Sequence, residues 1–370
     1  MKIPYVNIEK QYKSEKKQLL KIIDNVLNSG SWVGGSEIEK FEKNIGKICK
    51  TKYCVSLNSG TDALTLALHL LGVKRGDEVI TPPNSFIAST AVIVHLGAKP
   101  VFVDVKSDQS IDEKKIEEQI TNKTKAIMPV HLTGRMCAMD KIMNISNKYK
   151  IPVIEDCAQA IMSKYKDKMS GAWGDVGCFS AHPLKNLNAI GDAGYLTTNN
   201  KDIYDKIKNL RTHGMEESRD DVKNFGYVSR MDTLQAAVLN FRLKNLKEVI
   251  EKRRKNFELY DKYLDKKNVF FPQEKKYQFN TYHTFVIQVD RRDQLKKFLK
   301  SKNIATTIHY PRPIHLQPAA KYLGYKKGSF LCVENQAKRI LSLPIHQYLS
   351  QKEIKYIADT VNYFFQKKIK

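Results

Sequence analysis

The chain has 370 residues and a formal charge of +24, with 63 Lys and Arg against 39 Asp and Glu, and 42% of its residues are hydrophobic. That length supports a large domain with a smaller companion, and the aromatic and β-branched residues running throughout exclude an extended disordered chain. The start, MKIPYVNIEKQY, lacks the apolar core of a signal peptide, and no apolar run approaches the roughly 18 residues of a membrane span, so a cytoplasmic protein with no membrane partner is expected.

From about residue 50 to 200, short apolar β-rich runs alternate with helical patterns. The expected strands are 52–58, 78–82, 99–105, 125–132, 152–157, 176–181 and 194–199. Runs this apolar are buried on both faces, and helices between most of them predict a mainly parallel sheet in an α/β domain. The last two runs are joined by a glycine-containing loop without a helix, which leaves room for one antiparallel strand. A long helical pattern follows from Met231 to about Lys266. Beyond Pro272 the spacing predicts a strand over 282–290, a helix over 292–303, a strand over 304–311 and an amphipathic helix over 350–368. The expected organisation is a large domain with an N-terminal arm over 1–250 and a small α+β domain over 251–370.

The lysines are spread along the chain rather than gathered in an arginine-rich or aromatic-interleaved block, so no nucleic-acid partner is expected. The densest stretch, 244–267, reads as a mainly exposed helix with Glu248–Lys252 and Glu251–Lys255 at i,i+4 spacing. Such a field still favours a substrate carrying a diphosphate. The six cysteines, Cys49, Cys54, Cys137, Cys157, Cys178 and Cys332, form no CxxC pair and read as reduced structural thiols, with no metal site expected.

Three segments carry the chemistry. In Asn58-Ser59-Gly60-Thr61-Asp62 a strand ends and a helix begins, so free N–H groups and the positive end of the helix dipole face an anion there; ordinary helix capping explains the same residues. In Glu155-Asp156-Cys157-Ala158-Gln159 a carboxylate stands at the C-terminal end of an apolar strand, where open α/β sheets bind ligands. Asp156 there suits a protonated pyridine nitrogen and Gln159 a ring hydroxyl, although a strand-end Asp also caps helices. In Phe179-Ser180-Ala181-His182-Pro183-Leu184-Lys185-Asn186, a lysine in an apolar loop can be shifted down in pKa and act as an amine nucleophile, with Ser180 a further phosphate hydroxyl.

Taken together and in order, SGTDAL (59–64), EDCAQA (155–160), FSAHPLKN (179–186), LRTHG (210–214), SRMDTLQAA (229–237) and HYPRPIHLQ (309–317) resemble the DegT/DnrJ/EryC1/StrS family of sugar-nucleotide aminotransferases. The resemblance spans nearly the whole chain, through GSWVGGSEIEKFE (30–42) and SLPIH (342–346). It implies fold type I, with a mainly parallel seven-stranded sheet, and pyridoxal 5′-phosphate as cofactor, cycling through pyridoxamine 5′-phosphate. Lys185 would bind the cofactor covalently and carry the proton, Asp156 would pair with the pyridine nitrogen and Gln159 with the phenolic oxygen. Gly60, Thr61 and Ser180 would hold the phosphate, and Phe86 would cover the ring. Arg230, His309, Tyr310 and His315 would line the substrate pocket.

The resemblance further implies a homodimer with active sites at the interface, L-glutamate as donor and a nucleotide-linked keto-deoxysugar as acceptor, C3-keto favoured over C4-keto, for surface polysaccharide or glycoconjugate synthesis. One position departs from the pattern. Family members commonly carry asparagine before Ser229-Arg230, reaching the partner's phosphate, whereas this chain has Val228. The alternatives are a cofactor-dependent sugar dehydratase, in which histidine replaces the lysine, and a regulatory protein that holds cofactor without turnover.

Overall fold

A computed structural model describes residues 1–215, 222 and 224–366. Its centre is a seven-stranded sheet. One block pairs β1 (Tyr53–Leu57), β9 (Gly194–Thr198), β8 (Val176–Ser180) and β5 (Ile154–Asp156) in that order, and the other pairs β3 (Lys99–Phe102), β2 (Glu78–Thr81) and β4 (Thr124–Ile127). Parallel bridges from Ile127 to Val153 and from Val130 to Asp156 join the two blocks. The antiparallel strand is β9, paired that way with both β1 and β8, because the link from β8 contains no crossover helix. The remaining pairs run parallel.

Helices α3 (Gly60–Leu70), α4 (Ala88–His95), α5 (Met139–Tyr149) and α6 (Lys201–Leu210) supply the crossovers and flanks, while α1 (Ile8–Ser29) and α2 (Ser36–Cys49) precede the sheet. Val55, Leu57, Ala63, Leu66, Ile93 and Leu196 form one apolar core between the sheet, α3 and α4. A small hairpin of β6 (Lys164–Tyr165) and β7 (Lys168–Met169) is extended by β10 (Gln278–Phe279).

The single helix expected over 231–266 is instead two, α7 (Thr233–Leu243) and α8 (Leu246–Tyr263). Asn245 leaves helical geometry at φ −107° and ψ 1°, consistent with asparagine's tendency to bond locally rather than propagate a helix. Nor is α8 mainly exposed: Leu246, Ile250, Arg253, Asn256, Phe257 and Tyr260 are buried at helical spacing. Glu248 pairs with Lys252 at 2.6 Å as expected, but Glu251 lies 3.8 Å from Lys247 rather than pairing with Lys255.

The C-terminal part sets antiparallel β11 (Phe285–Gln288) and β12 (Ile340–Leu343) against α8, α9 (Arg292–Ser301), α10 (Leu331–Arg339) and α11 (Gln351–Gln366). The strand expected over 304–311 is reduced to isolated bridges at Ile304 and Thr307, since the run turns into the cavity wall after Thr307. Ile3, from the start of the chain, is fully buried in this C-terminal core beside Tyr260, Ile304 and Ile357. Five of the six cysteines are buried, and all six are unpaired. No helix among the described residues is long and apolar enough to cross a membrane.

Candidate active site

A cavity of about 410 Å³ opens at the C-terminal ends of β5 and β8, between the sheet and the C-terminal part. Its sheet-side wall includes Gly60, Thr61, Phe86, Asp156, Gln159, Ser180 and Lys185, so seven positions singled out from widely separated segments meet in one place. His309 and Tyr310 close the opposite side.

The anion cradle follows from the turn into α3. Ser59 Oγ caps the helix by accepting from Asp62 N at 3.0 Å, and the first bond of the helix runs from Ala63 N to Ser59 O. The Gly60 and Thr61 amides precede that bond and point out of the helix end. Gly60 is required by close approach: a Cβ there would lie 2.8 Å from Ser180 Cβ and 3.2 Å from Phe179 O. The glycine therefore brings the α3 amides and the Ser180 hydroxyl together, a donor set suited to a phosphate.

Asp156 ends β5 and is almost fully buried. Ser89 Oγ donates to its Oδ2 at 2.7 Å and Ala158 N to its Oδ1 at 3.1 Å. Gln159 Oε1 accepts from Thr133 N at 2.7 Å, which turns the amide's Nε2 donor toward the cavity side. Burial pushes the Tyr310 phenol up to about 12, with nearby Asp156 adding to the rise and Gln159 opposing it.

Lys185 sits on the helix-free link between β8 and β9. Its backbone N bonds His182 O, and the link is pinned by Asn186 Nδ2 to Thr281 O and by Asn188 Nδ2 to Pro183 O. Gln11 of α1 and Asn188 exchange two amide hydrogen bonds of 3.0 and 3.1 Å. Lys185 is half-buried at the cavity wall, and desolvation lowers its amine to about 8, against the opposing pull of the Asp156 carboxylate. An amine so placed is a nucleophile near neutral pH.

Phe86 is 57% exposed at the cavity edge, its ring 6.0 Å from that of Tyr310, so it is not a core residue. His309 Nδ1 lies 2.9 Å from Ser342 Oγ, and burial with the Lys185 charge pushes its imidazole down to about 4. His315 is a correction. It is 1% exposed, lies off the cavity wall, and places Nε2 3.0 Å from Glu334 Oε1, where Glu334 also accepts from Gly328 and Phe330 amides. It organises that turn rather than lining a sugar pocket. Arg230 is half-buried and also off the cavity wall of its own chain. Val228 is exposed and bridges Thr212.

Sequence reasoning missed Ser89, Tyr5, Arg253, His283, Thr284 and His346. Arg253 was hidden in the densest basic stretch, and only the helical phase of Leu246, Ile250 and Phe257 could have marked it as inward-facing. Beside the site, Glu155 is fully buried and accepts from Gly171, Trp173 and Gly174 amides and pairs with His131 at 3.0 Å, which fixes the residue preceding Asp156.

The donor set fits a phosphate-bearing pyridine aldehyde: an amide and hydroxyl cradle, a buried carboxylate, an amide donor and a desolvated amine share one cavity. Comparison with known proteins agrees. The DegT/DnrJ/EryC1/StrS aminotransferase family profile matches residues 13–362. A pleiotropic regulatory protein of Geobacillus stearothermophilus is 36% identical over 99% of both chains. The dTDP-3-amino-3,6-dideoxy-α-D-galactopyranose transaminase of Aneurinibacillus thermoaerophilus is 37% identical over 97% of this chain and 99% of its own. The crystal structure of S. venezuelae DesV in complex with a ketimine intermediate superimposes with a TM-score of 0.96, at 33% identity and 99% coverage of each chain. Other solved relatives are in PLP and PMP forms.

Proposed function

The chain belongs to the DegT/DnrJ/EryC1/StrS aminotransferase family and is a pyridoxal-phosphate-dependent sugar aminotransferase, and we propose that it moves the amino group of L-glutamate to the C3 ketone of a nucleotide-linked deoxyhexose. The observation that carries the reading is the meeting of the desolvated Lys185 amine and the Ser89-oriented Asp156 carboxylate in one cavity. The C3 preference draws on His309-Tyr310-Pro311 and on the Aneurinibacillus transaminase, whose name places its amino group at C3.

The cofactor, when bound, supplies the electron sink that lets an amino group leave one carbon and join another. Lys185 would hold it through its Nζ, and the same Nζ would carry the proton that the amino transfer moves. Asp156 would keep a proton on the ring nitrogen, and Gln159 would donate to the phenolic oxygen. Gly60, Thr61 and Ser180 hold the phosphate, while Phe86 and Tyr310 exclude water from the ring's surroundings. Arg230 would serve an anionic group of the donor or the acceptor.

A homodimer is part of this reading. Phe225, Phe86, Trp32, Val228 and Leu184 are exposed, at 98, 57, 60, 55 and 46%, and Phe86 and Leu184 sit at the cavity itself. Apolar groups this large and this close to a site mark a surface covered by another chain. The unpaired, mostly buried thiols suit the reducing cytoplasm.

The name of the Geobacillus relative raises the reading of a regulator without turnover, against which the lowered amine of Lys185 argues. Adding L-glutamate to the holoenzyme separates the two: the visible absorbance of the cofactor is expected to fall as 2-oxoglutarate forms. A panel of dTDP-, UDP- and GDP-linked 3-keto and 4-keto sugars then identifies the acceptor. An unchanged spectrum with every amino acid would overturn the aminotransferase reading, and turnover with 4-keto sugars alone would overturn the C3 assignment.

A further inference from the structure

Among the described residues, Arg253 is a buried cation without a counter-ion. It projects from α8 into the cavity wall and is 6% exposed. Its Nη1 donates to Tyr282 O and His283 O and its Nη2 to Gln347 Oε1, each at 3.2 Å. No carboxylate among the described residues pairs with it, and its Nε has no partner. Desolvation lowers its pKa to about 10, with Tyr5 and Tyr348 opposing.

Two neighbours in the same wall share this deficit. Among the described residues, His283 Nδ1 and Thr284 Oγ1 are buried polar atoms without a hydrogen-bond partner. Buried polar groups are nearly always satisfied, so three gaps in residues of one cavity wall point to a ligand that fills them. Its sign follows from the charges. Lys185 and Arg253 both act on His283 and, with burial, keep it neutral, so this end of the cavity carries a fixed positive charge. The planar guanidinium matches a carboxylate in shape as well as charge.

We propose that Arg253, His283 and Thr284 form a carboxylate-binding subsite that takes the α-carboxylate of the amino donor, a recognition role that rests on the aminotransferase reading. Lys185, Arg253, His283 and Thr284 line the same cavity, so an anion held here shares its space with the amine that moves the proton. An α-amino acid has its carboxylate on the carbon whose proton is moved. In a nucleotide sugar the diphosphate lies across part of the ring from a C3 ketone, whereas an α-carboxylate is bonded directly to the reacting carbon.

The test uses the holoenzyme and two readouts. Calorimetric titration with glutarate, a dicarboxylate without an amine, is expected to show binding to the wild type that weakens about tenfold in Arg253→Lys, equivalent to 1.4 kcal/mol. Stopped-flow measurement of the separate half-reactions is expected to show the half-saturating L-glutamate concentration rising about tenfold. The half-saturating keto-sugar concentration should stay within about twofold. Because Arg253 also holds two backbone carbonyls, Thr284→Val is the second variant, with glutarate binding expected to weaken about threefold or more. Unchanged glutarate binding in both variants, or a loss confined to the keto-sugar half-reaction, would overturn the proposal. A wild type that converts no amino acid would overturn the aminotransferase reading instead, and glutarate binding would still decide the role of Arg253.

Discussion

The hydroxyl of Ser89, at the start of α4, lies 2.7 Å from Oδ2 of Asp156 at the end of β5, and the serine is buried. With Ala158 N on Oδ1, the carboxylate is held from two sides by its own protein and cannot rotate away from the cavity. Asp156→Asn is expected to slow both half-reactions by more than about a hundredfold, because the ring's demand for electrons peaks in the transition state. Cofactor retention should change less, by about 1.5–3 kcal/mol for one charge-assisted hydrogen bond. Stopped-flow spectra with L-glutamate and then keto-sugar check this, and turnover near the wild-type rate would place the nitrogen partner elsewhere.

Lys185→Ala is expected to abolish turnover while the fold is retained, since the rest of its link is anchored by Asn186 and Asn188 rather than by the amine. Borohydride reduction of the wild-type holoenzyme followed by peptide mass spectrometry should find the cofactor on Lys185. An adduct on another lysine would end the assignment.

The same lysine sets a pH dependence in the cofactor-free protein. Its folded pKa is lowered from 10.5 to about 8, so the unfolded chain binds more protons between those values. The cost of the buried ammonium is fully present below pH 8 and is relieved as pH rises from 8 to 10.5. Cofactor-free Lys185→Met should therefore be the more stable form at pH 7, with the gap narrowing toward pH 10.5. Urea melts of both forms across that range test it, and a gap independent of pH would contradict it.

Val228→Asn restores the residue usual in the family. Gly60, Thr61 and Ser180 already supply most of the cradle, and water can bridge a missing contact with little enthalpic loss. The substitution should tighten cofactor binding by less than about tenfold, or 1.4 kcal/mol. Dissociation constants measured after stripping the cofactor decide the matter: a gain of about a hundredfold would show an unfilled gap.

Glu155→Ala leaves His131 and three backbone amides without their common acceptor. Breaking so buried a network should cost about 3–5 kcal/mol of stability. Equilibrium unfolding of the cofactor-free protein measures this without reference to catalysis, and a loss below about 1 kcal/mol would show that the network contributes little.

The sheet was legible because its strands are continuous apolar runs, and so was the meeting of SGTDAL, EDCAQA and FSAHPLKN at one cavity, because they lie at strand ends. The long helix was misjudged, since α7 and α8 share one apolar pattern and only Asn245 separates them. His315 looked like a pocket residue from its neighbours His309 and Tyr310. Its partner Glu334 is nineteen positions away and invisible to local spacing. Ser89 and Arg253 escaped for the same reason: a serine among serines and an arginine among lysines acquire meaning only when packing brings Asp156 or the cavity beside them.

The earliest residues of the chain have an unusual wait. Ile3 N bonds Asn303 O, Ala305 N bonds Ile3 O, and Pro4 O receives His346 Nε2, so this segment is completed by sequence some three hundred positions downstream. During synthesis, which proceeds from the N-terminus, Ile3 and Tyr5 leave the ribosome long before anything exists for them to pair with. Tyr5 is also part of the cavity wall. The catalytic pocket is thus among the last features to close, and a nascent chain halted short of residue 303 carries its lysine loop without the wall that would shelter it.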